Sequence, residues 1–553
     1  MNVGSGHFRF RNYNTIGALA AEDDIRFLDE CFVDTGLLRA IQDMDDHRRI
    51  ILGRTGSGKS ALLLHLRRHS HTITINPHEL ALDYLSNSSI LTELANAGIS
   101  LQPFYKLLWK HVFVVEILRN AHSQLRDSRE APGFWRNLLN SFSPSAKDQA
   151  SKAALQYLAE YGDSFWQTTE YRIKEITEKV ENQLKASIEA KLPSASFGVE
   201  AATTRSQERK GAIEQIGKEF VRAIQIKKLN DAVDWLAKDA EGRKNLYIII
   251  DGLDEDWVET DYKHELIRAL IDTAKELRAI RTVKILIALR QDLFEKVLEH
   301  NQGSGFQREK YTQLCIKLQW TRDQLKSIVD KRVNKLIRDA YTTAKVRIDD
   351  IIEPVQGDQG VQYLIDRTLL CPRDIISFFN ECIQKADGNA RITRHMIKDA
   401  EPGYSRARLR ALADEWRSSE PLVAQVAELL RGRQANLRLR EFTDEYITEF
   451  CTKLCVKYWN EKGSLALDIA KRHCEDQALA TAREVLRHFL SLLYKIGAIG
   501  AKPAPETEWR WAINGDSSID DLELDDNCGI RVHKALWCAL DVSSGKAARR
   551  DKE

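Results

Sequence analysis

The feature that most constrains the fold is a glycine-rich segment at residues 53–60, GRTGSGKS, which matches the pattern G-x-x-x-x-G-K-[ST] in full. A short apolar run precedes it, and a helical pattern begins at Lys59. Glycines let the backbone curl so that successive N–H groups point inward around a phosphate, and the start of the helix adds the positive end of its dipole. We therefore predict a strand, a phosphate-binding loop and a helix.

Within this loop the side chains of Lys59 and Ser60 have the clearest predicted roles. The Lys59 ammonium can reach the β- and γ-phosphates of a nucleotide, and the Ser60 hydroxyl can bind Mg²⁺. The other residues are expected to contact the nucleotide mainly through their backbone. The predicted nucleotide-binding set is Gly53, Arg54, Thr55, Gly56, Ser57, Gly58, Lys59, Ser60 and Ala61.

A second motif is an apolar run, LYIII at residues 246–250, that leads directly into the acidic sequence DGLDE. Asp251 stands at the end of this predicted strand, where α/β sheets place ligands, and is expected to complete the Mg²⁺ shell. Many ATPases carry a water-orienting glutamate directly after this aspartate, but here the position is Gly252. The catalytic role then falls to Asp254 or Glu255, with Glu255 favoured. If neither reaches the water, the protein binds ATP and hydrolyses it slowly.

Two further arginines are candidates for phosphate contacts. Arg290 ends the next predicted strand and could stabilise charge on the γ-phosphate, or could instead be a surface arginine that begins a helix. Arg373 follows Pro372 at a predicted helix start, because proline suits the first helical turn. Arg373 could swing onto a phosphate, or could simply pair with Asp374.

Strands that alternate with helices predict an α/β fold with a parallel sheet covered on both faces. At 553 residues with 43% hydrophobic residues, the chain is expected to form several domains. A predicted helix at 481–496, followed by predicted strands at 498–502 and 509–513, is typical of a winged helix. The predicted segments are a helical lead-in at 1–45, a P-loop NTPase core at 46–121 and 241–320, a helical insert at 122–240, an all-α lid at 321–420, a C-terminal winged-helix domain at 421–545 and a tail at 546–553.

Composition limits the location and the partners of the chain. The net charge of +1 excludes a globally basic nucleic-acid coat, although a local basic face remains open. No stretch approaches the roughly 18 apolar residues that cross a bilayer, and the N-terminus has no apolar signal core. Nine cysteines, an odd number, are typical of reduced thiols. We expect a cytoplasmic protein without membrane contact.

Taken together and in this order, GRTGSGKS, LYIIIDGLDE, IALRQD and CPRD resemble the bacterial STAND and ORC-like branch of the AAA-type P-loop ATPases. The chain is similar in particular to a group with a long helical insert between the Walker A and Walker B motifs. The resemblance covers residues 25–120 and 245–540. It implies a core ATPase domain, a helical lid and a winged helix.

The resemblance also implies roles for single residues. Lys59, Ser60 and Asp251 would bind the Mg-nucleotide, Arg290 would be a sensor-like arginine, and Pro372 would lie near the adenine. A preference for ATP comes from the resemblance alone, since no guanine-specific N-K-x-D motif is visible.

Some relatives carry a winged-helix histidine that senses ADP. The segment IRVHKAL around His533 resembles that motif loosely, with lysine where an acidic residue is usual, so a histidine on a half-buried strand or helix is the alternative. Several relatives act in defence against phage, and the resemblance extends that expectation to this chain.

The sequence therefore predicts a Mg²⁺-dependent ATPase that couples its nucleotide state to conformational change or assembly, either as a homo-oligomer or with an effector protein. One alternative is a nucleotide switch with slow or no hydrolysis. Another is a DNA-binding ATPase that uses the winged helix and the arginine-rich stretch at 406–440, for which a solvated helical face is the simpler interpretation.

Overall fold

The computed structural model describes residues 8–77, 101–121, 154, 156–160, 224–238, 244–255, 257, 260–299, 307–340, 346–515 and 519–544. Most of the predicted insert at 122–240 and the whole predicted tail at 546–553 lie outside these ranges. The chain is an α/β protein with a five-stranded parallel sheet and many helices. It divides into two compact units.

The first unit, Gly36–Leu52 with Leu66–Lys317, contains the parallel sheet and is called the sheet unit. The strand order is β2-β3-β4-β1-β5, and the parallel pairs include Ile250 opposite Ile287 and Ile50 opposite Cys315. The strands are β1 (Ile50–Gly53), β2 (Thr72–Ile75), β3 (Leu246–Ile250), β4 (Val283–Arg290) and β5 (Cys315–Lys317).

The central strands are apolar and buried along almost their whole length, which is typical of a parallel sheet covered on both faces. All of β3 is buried, and in β4 only Arg290 is partly exposed. The longest described helix of this unit, α4, carries eleven buried residues on several of its faces. The helices are α2 (Leu37–Gln42), α4 (Gln102–Ala121), α5 (Ile224–Lys238), α6 (Thr260–Glu276), α7 (Gln291–Glu299) and α8 (Arg308–Thr312).

The carboxyl ends of three neighbouring strands carry the sequence motifs. β1 lies between β4 and β5, and β4 separates it from β3. At this edge β1 ends at Gly53, β3 leads into Asp251, and β4 ends at Arg290. The predicted glycine-rich, acidic and arginine motifs are therefore all attached to strands of one sheet.

The second unit, Met1–Thr35, Gly53–His65 and Leu318–Glu553, is mainly helical and is called the helical unit. Residues 8–35 hold one short helix and otherwise turns, so the predicted lead-in is only partly helical. No helix of the described ranges is long and apolar enough to cross a bilayer. The helices are α1 (Ile25–Leu28), α3 (Lys59–His69, which begins here), α9 (Arg322–Ala340), α10 (Ile348–Ile351), α11 (Gly360–Ile365), α12 (Pro372–Lys385), α13 (Arg394–Trp416), α14 (Val423–Ala427), α15 (Asp444–Tyr458), α16 (Leu465–Glu475) and α17 (Ala482–Lys495).

A small antiparallel sheet in the helical unit corrects one prediction. Its order is β6-β8-β7, with β6 (Asn436–Arg438), β7 (Ile499–Lys502) and β8 (Gly529–Val532). The predicted strand at 509–513 is wrong, because this segment makes only a single bridge between Arg510 and Ala501 and then forms a 3₁₀ turn. Trp511 instead lies against Gly500, where a Cβ would come within 2.5 Å of the indole.

Candidate functional site

The glycine-rich loop, residues 53–60, joins β1 to α3 in a conformation that requires its glycines. Gly56 and Gly58 have φ angles of 79° and 94°, which residues with a Cβ rarely adopt. A Cβ on Gly53 would lie 2.3 Å from the Ser57 hydroxyl. The loop turns back on itself through a hydrogen bond from the Ser57 N–H to the Arg54 carbonyl at 3.1 Å. The strand, tight turn and helix follow one another as the sequence predicts, and phosphate binding by the loop stays a prediction.

The hydrogen bonding of the polar side chains in the loop tests whether a phosphate could bind there. The Lys59 ammonium donates to the carbonyls of Gly53 at 3.1 Å and Arg54 at 3.2 Å, which keeps it folded over the loop. Among the described residues, Arg54 Nη1, Thr55 Oγ1 and Ser57 Oγ are buried and have no hydrogen-bond partner. Buried polar atoms are usually satisfied, so this concentration in one short loop fits a site for a polar ligand.

Two residues of the C-terminal part of the same unit bind the loop: Trp320, just before α9, and Arg373 of α12. The Trp320 indole N–H, just before α9, donates to the Ser57 carbonyl at 2.7 Å. Pro372 opens α12, and the Arg373 backbone N–H donates to the Gly56 carbonyl at 3.3 Å. The Arg373 side chain lies against Gly56, and its Nε donates to the Leu19 carbonyl at 3.2 Å. Pro372 and Arg373 therefore lie beside the loop, and their contacts with adenine and phosphate stay predictions.

A buried ionic chain that sequence reasoning missed ends at the loop. The Thr55 N–H donates to Glu415 Oε1 at 3.2 Å, and Glu415 Oε2 lies 3.5 Å from Arg408 Nη2. Arg408 Nη1 in turn lies 2.7 Å from Asp374 Oδ1, and the other Asp374 oxygen accepts from the Leu369 N–H at 2.9 Å. The side chains of all three charged residues are at most 7% exposed. The sequence signal for this chain was the i, i+7 spacing of Arg408 and Glu415, which places two opposite charges on the same face of one helix.

Arg54 connects the loop to the end of α17. Its Nη2 donates to the Ile496 carbonyl at 2.6 Å. The next residue, Gly497, has a φ of 81°, and a Cβ there would lie 2.6 Å from Arg54 Nη1. The guanidinium can therefore reach this helix end only because residue 497 has no side chain.

A small cavity of about 60 Å³ lies beside Gly58 and Ala61. Its apolar walls include Trp320, Pro372 and Val33. Phe32 also lines it, and stacks on His65 of α3 with ring centroids 3.9 Å apart. A flat apolar group could be held here next to the loop.

In the sheet unit, the acidic turn after β3 has a well-defined geometry. Asp251 Oδ1 accepts from the Gly252 N–H at 2.9 Å. Gly252 has a φ of 79°, so a glutamate at this position would be strained. A Cβ on Gly252 would lie 3.4 Å from Glu255 Oε1, which places the Glu255 carboxylate beside the position that lacks a side chain. Glu255 and Asp254 are both exposed.

Arg290 lies beside this turn and is held in an ion pair. Its Nε and Nη2 donate to the two oxygens of Asp292 at 3.0 and 2.7 Å, and its Nη1 lies 3.9 Å from Asp254 Oδ2. The Lys263 ammonium donates to the carbonyls of Glu255 at 2.6 Å and Asp254 at 3.2 Å. The structure thus brings Arg290 close to Asp254, and places the Glu255 carboxylate beside Gly252. A phosphate contact by Arg290 would compete with Asp292.

Within the described ranges, no group of three or more His, Cys, Asp or Glu side chains converges as a metal cluster. A magnesium ion held through a nucleotide needs only one or two protein ligands. Ser60 and Asp251 therefore stay predictions as magnesium ligands.

His533 is buried, whereas most arginines of the stretch 406–440 are exposed or half-buried. His533 is buried directly after β8, and burial lowers its pKa to about 3, so the ring is neutral. Arg408 is buried in the ionic chain with Asp374 and Glu415, which corrects its inclusion in a solvated or nucleic-acid-facing surface. Arg431 pairs with Glu428 and with Asp541. The remaining members are exposed or half-buried: Arg406, Arg410, Arg417, Arg433, Arg438 and Arg440.

Comparisons with known proteins give one match to a segment of the helical unit and one match over almost the whole chain. Residues 323–413, from α9 through most of α13, match the family model of the FunZ-associated C-terminal helical domain. The chain is also similar to the putative transposon gamma-delta 80.3 kDa protein of Escherichia coli strain K12. That protein is 20% identical over 554 residues, which cover 98% of this chain and 69% of the relative.

Proposed function

We propose that the chain is a Mg²⁺-dependent ATPase of the STAND/AAA type that couples its nucleotide state to conformational change or assembly. The observation that carries the proposal is the glycine-rich loop, with two glycines at positive φ and three buried polar atoms that lack partners in the described residues. Such a loop surrounds phosphates with N–H donors. Lys59 would bind the β- and γ-phosphates, and the cavity beside Gly58 and Ala61 would hold the adenine against Pro372.

The acidic turn supports the hydrolytic part of the proposal. Ser60 and Asp251 would hold magnesium, which when bound would neutralise charge on the phosphates. Glu255 would orient the attacking water, because its carboxylate lies beside Gly252 where the usual glutamate is missing. Arg290 would stabilise the γ-phosphate only after leaving Asp292.

The contacts between the loop and the C-terminal part of the helical unit support coupling. Arg54, Thr55 and Gly56 bind groups of the α17 end, α13 and α12, respectively. A nucleotide that moves the loop would therefore shift these helices. The small antiparallel sheet beside α15–α17 supports the winged-helix assignment of residues 421–545.

Two alternatives to this ATPase proposal are each supported by a specific observation. A switch with slow or no hydrolysis is favoured by the pairing of Arg290 with Asp292. A DNA-binding ATPase is favoured by the exposed arginines within 406–440 and by the transposon in the name of the relative. A role in phage defence rests on the resemblance of the motifs to the STAND branch.

The experiment is titration calorimetry with MgATP and MgADP, together with phosphate release, for wild type, Lys59→Ala and Glu255→Gln. We expect Lys59→Ala to lose nucleotide binding, and Glu255→Gln to bind MgATP while phosphate release falls about 100-fold or more. Lys453→Ala, which removes an exposed helical lysine, is the matched control. Absence of binding by wild type, or equal binding by Lys59→Ala, would overturn the proposal. Binding without turnover would favour the switch.

A further inference from the structure

A second, much larger cavity lies entirely within the helical unit. Its volume is about 510 Å³, within the range of roughly 300–1,000 Å³ that is usual for small-molecule sites. Its lining comes from the start of α9, from α11 and the turn after it, and from the region of β6 to β8. None of its described lining residues belongs to the glycine-rich loop.

Indole rings form part of the walls of this cavity. Three of the eleven tryptophans of the chain line it: Trp509, Trp511 and Trp537. The Trp537 indole is fixed by a hydrogen bond from its N–H to the Val532 carbonyl at 2.9 Å, and Trp511 packs against Gly500. Such rings provide rigid flat surfaces on which another planar ring can stack.

The charge of the cavity is positive. Arg322, Arg531 and Lys534 line it together with one carboxylate, Asp366, to which both Arg322 and Lys534 donate. The acceptor of the Arg531 Nε is the neutral amide oxygen of Asn436 at 2.6 Å, and within the described residues no carboxylate pairs with Arg531. The Arg531 guanidinium lies 4.0 Å from the Trp509 ring. A cation beside a stacking surface is thus available to an anion.

The neutral polar side chains of the lining include His533 and Asn514. The Ala535 N–H donates to His533 Nδ1 at 3.2 Å, so the proton of the neutral ring is on Nε2 and the imidazole is a donor. The ring meets Trp511 edge-on, with centroids 5.2 Å apart. Asn514 adds an exposed amide that can both donate and accept.

We propose that this cavity is a second nucleotide site that takes a nucleobase with its attached phosphate, separate from the glycine-rich loop. The base stacks on the tryptophans, and the phosphate binds Arg531. Flat aromatic walls, an excess of cations and neutral amide donors are the features that recognise an unpaired base with a phosphate. The same chemistry is available from a free nucleotide or from an unpaired base of a nucleic-acid strand.

The test uses the full chain with Lys59→Ala, which removes the proposed loop site. The probes are 5-iodo-2′-deoxyuridine 5′-monophosphate and a single-stranded oligonucleotide that contains 5-iodouracil. Binding is measured by tryptophan fluorescence, and photo-crosslinked peptides are mapped. We expect a crosslink to a peptide with Trp509 or Trp537, and a dissociation constant raised about tenfold by Arg531→Gln.

Arg281→Gln and Trp459→Leu change exposed residues outside the cavity and are the controls. Comparable affinities for both probes indicate a free nucleotide, and a much tighter oligonucleotide indicates a strand; both support the site. If neither probe binds to Lys59→Ala, or if Arg531→Gln and Arg281→Gln bind equally, the proposal is overturned. Failure of the loop proposal would leave this binding unchanged.

Discussion

Glu415 Oε1 accepts a hydrogen bond from the Thr55 N–H at 3.2 Å, which joins a buried carboxylate to the glycine-rich loop across 360 residues of chain. The acceptor belongs to the ionic chain that continues through Arg408 to Asp374. A carboxylate next to a loop amide opposes an approaching phosphate by like-charge repulsion. In the proposed ATPase this contact therefore competes with the nucleotide.

The first prediction is that Glu415→Gln tightens MgATP binding by about three- to tenfold, because the amide keeps an acceptor and removes the charge. Titration calorimetry measures the effect. Asp414→Asn removes the same charge from the exposed residue next to Glu415, and it should leave the affinity for MgATP unchanged. Unchanged or weaker binding in a folded Glu415→Gln protein would contradict a competing role.

The second prediction concerns Asp374, which holds the other end of the chain. Asp374→Asn leaves Arg408 as a buried cation with a weaker partner, so we expect the helical unit to lose about 3–5 kcal/mol of stability. Urea denaturation followed by near-ultraviolet circular dichroism measures the loss. Asp399→Asn, which breaks an exposed pair with His395, should cost less than about 1 kcal/mol. Equal losses of unfolding free energy in the two variants would contradict a larger contribution of the buried pair to stability.

The third prediction separates backbone strain from a side-chain clash at Gly497. Gly497→Ala places a Cβ 2.6 Å from Arg54 Nη1 and also imposes a φ of 81° on alanine. Gly432→Ala imposes a similar φ of 70°, and a Cβ there meets no atom within 4 Å. We expect about 1 kcal/mol for Gly432→Ala and about 2–3 kcal/mol for Gly497→Ala.

Arg54→Ala should remove part of the additional cost at Gly497 in a double-mutant cycle, because it removes the nearer of the two side-chain atoms that the new Cβ meets. The other atom, Ile513 Cγ2 at 2.9 Å, remains. Thermal denaturation of the four proteins provides the coupling energy. Additive effects of the two substitutions would exclude a clash between the new Cβ and Arg54.

The fourth prediction is a pH dependence from His111 in α4. Burial lowers its pKa from 6.5 to about 3, and its Nδ1 lies 2.6 Å from the Tyr157 hydroxyl. Between these two pKa values the unfolded chain binds a proton that the folded chain does not, so stability is lost as the pH falls below 6.5. His111→Gln should flatten the decrease in melting temperature between about pH 7 and about pH 4.5. His395→Gln, at an 85% exposed side chain, should not.

The sequence predicts the sheet well because its signals are local. The run LYIII is buried throughout as β3, and the glycine-rich loop begins at the end of β1 as its pattern requires. Pro372 opens α12 at the predicted position. In each case a few neighbouring residues determine the backbone, through apolar burial, positive φ or a fixed proline ring.

Contacts between distant residues could not be predicted in this way. Arg408 has the sequence surroundings of a surface arginine, but its partner Asp374 lies 34 residues away and buries it. Trp509 and Trp511 have the sequence pattern of strand residues because aromatic residues favour strands, but packing against Gly500 places the second of them in a cavity wall. Partners that only the folded chain brings together decide such cases.

The fit between Arg54 and Gly497 has a consequence for how this protein can diverge. A lineage that acquires a side chain at position 497 loses room for the guanidinium, so it should first shorten residue 54 or else pass through a destabilised intermediate. Substitutions at these two positions, which are far apart along the chain, should therefore be correlated among descendants. The replacement of residue 54 should precede the replacement of residue 497.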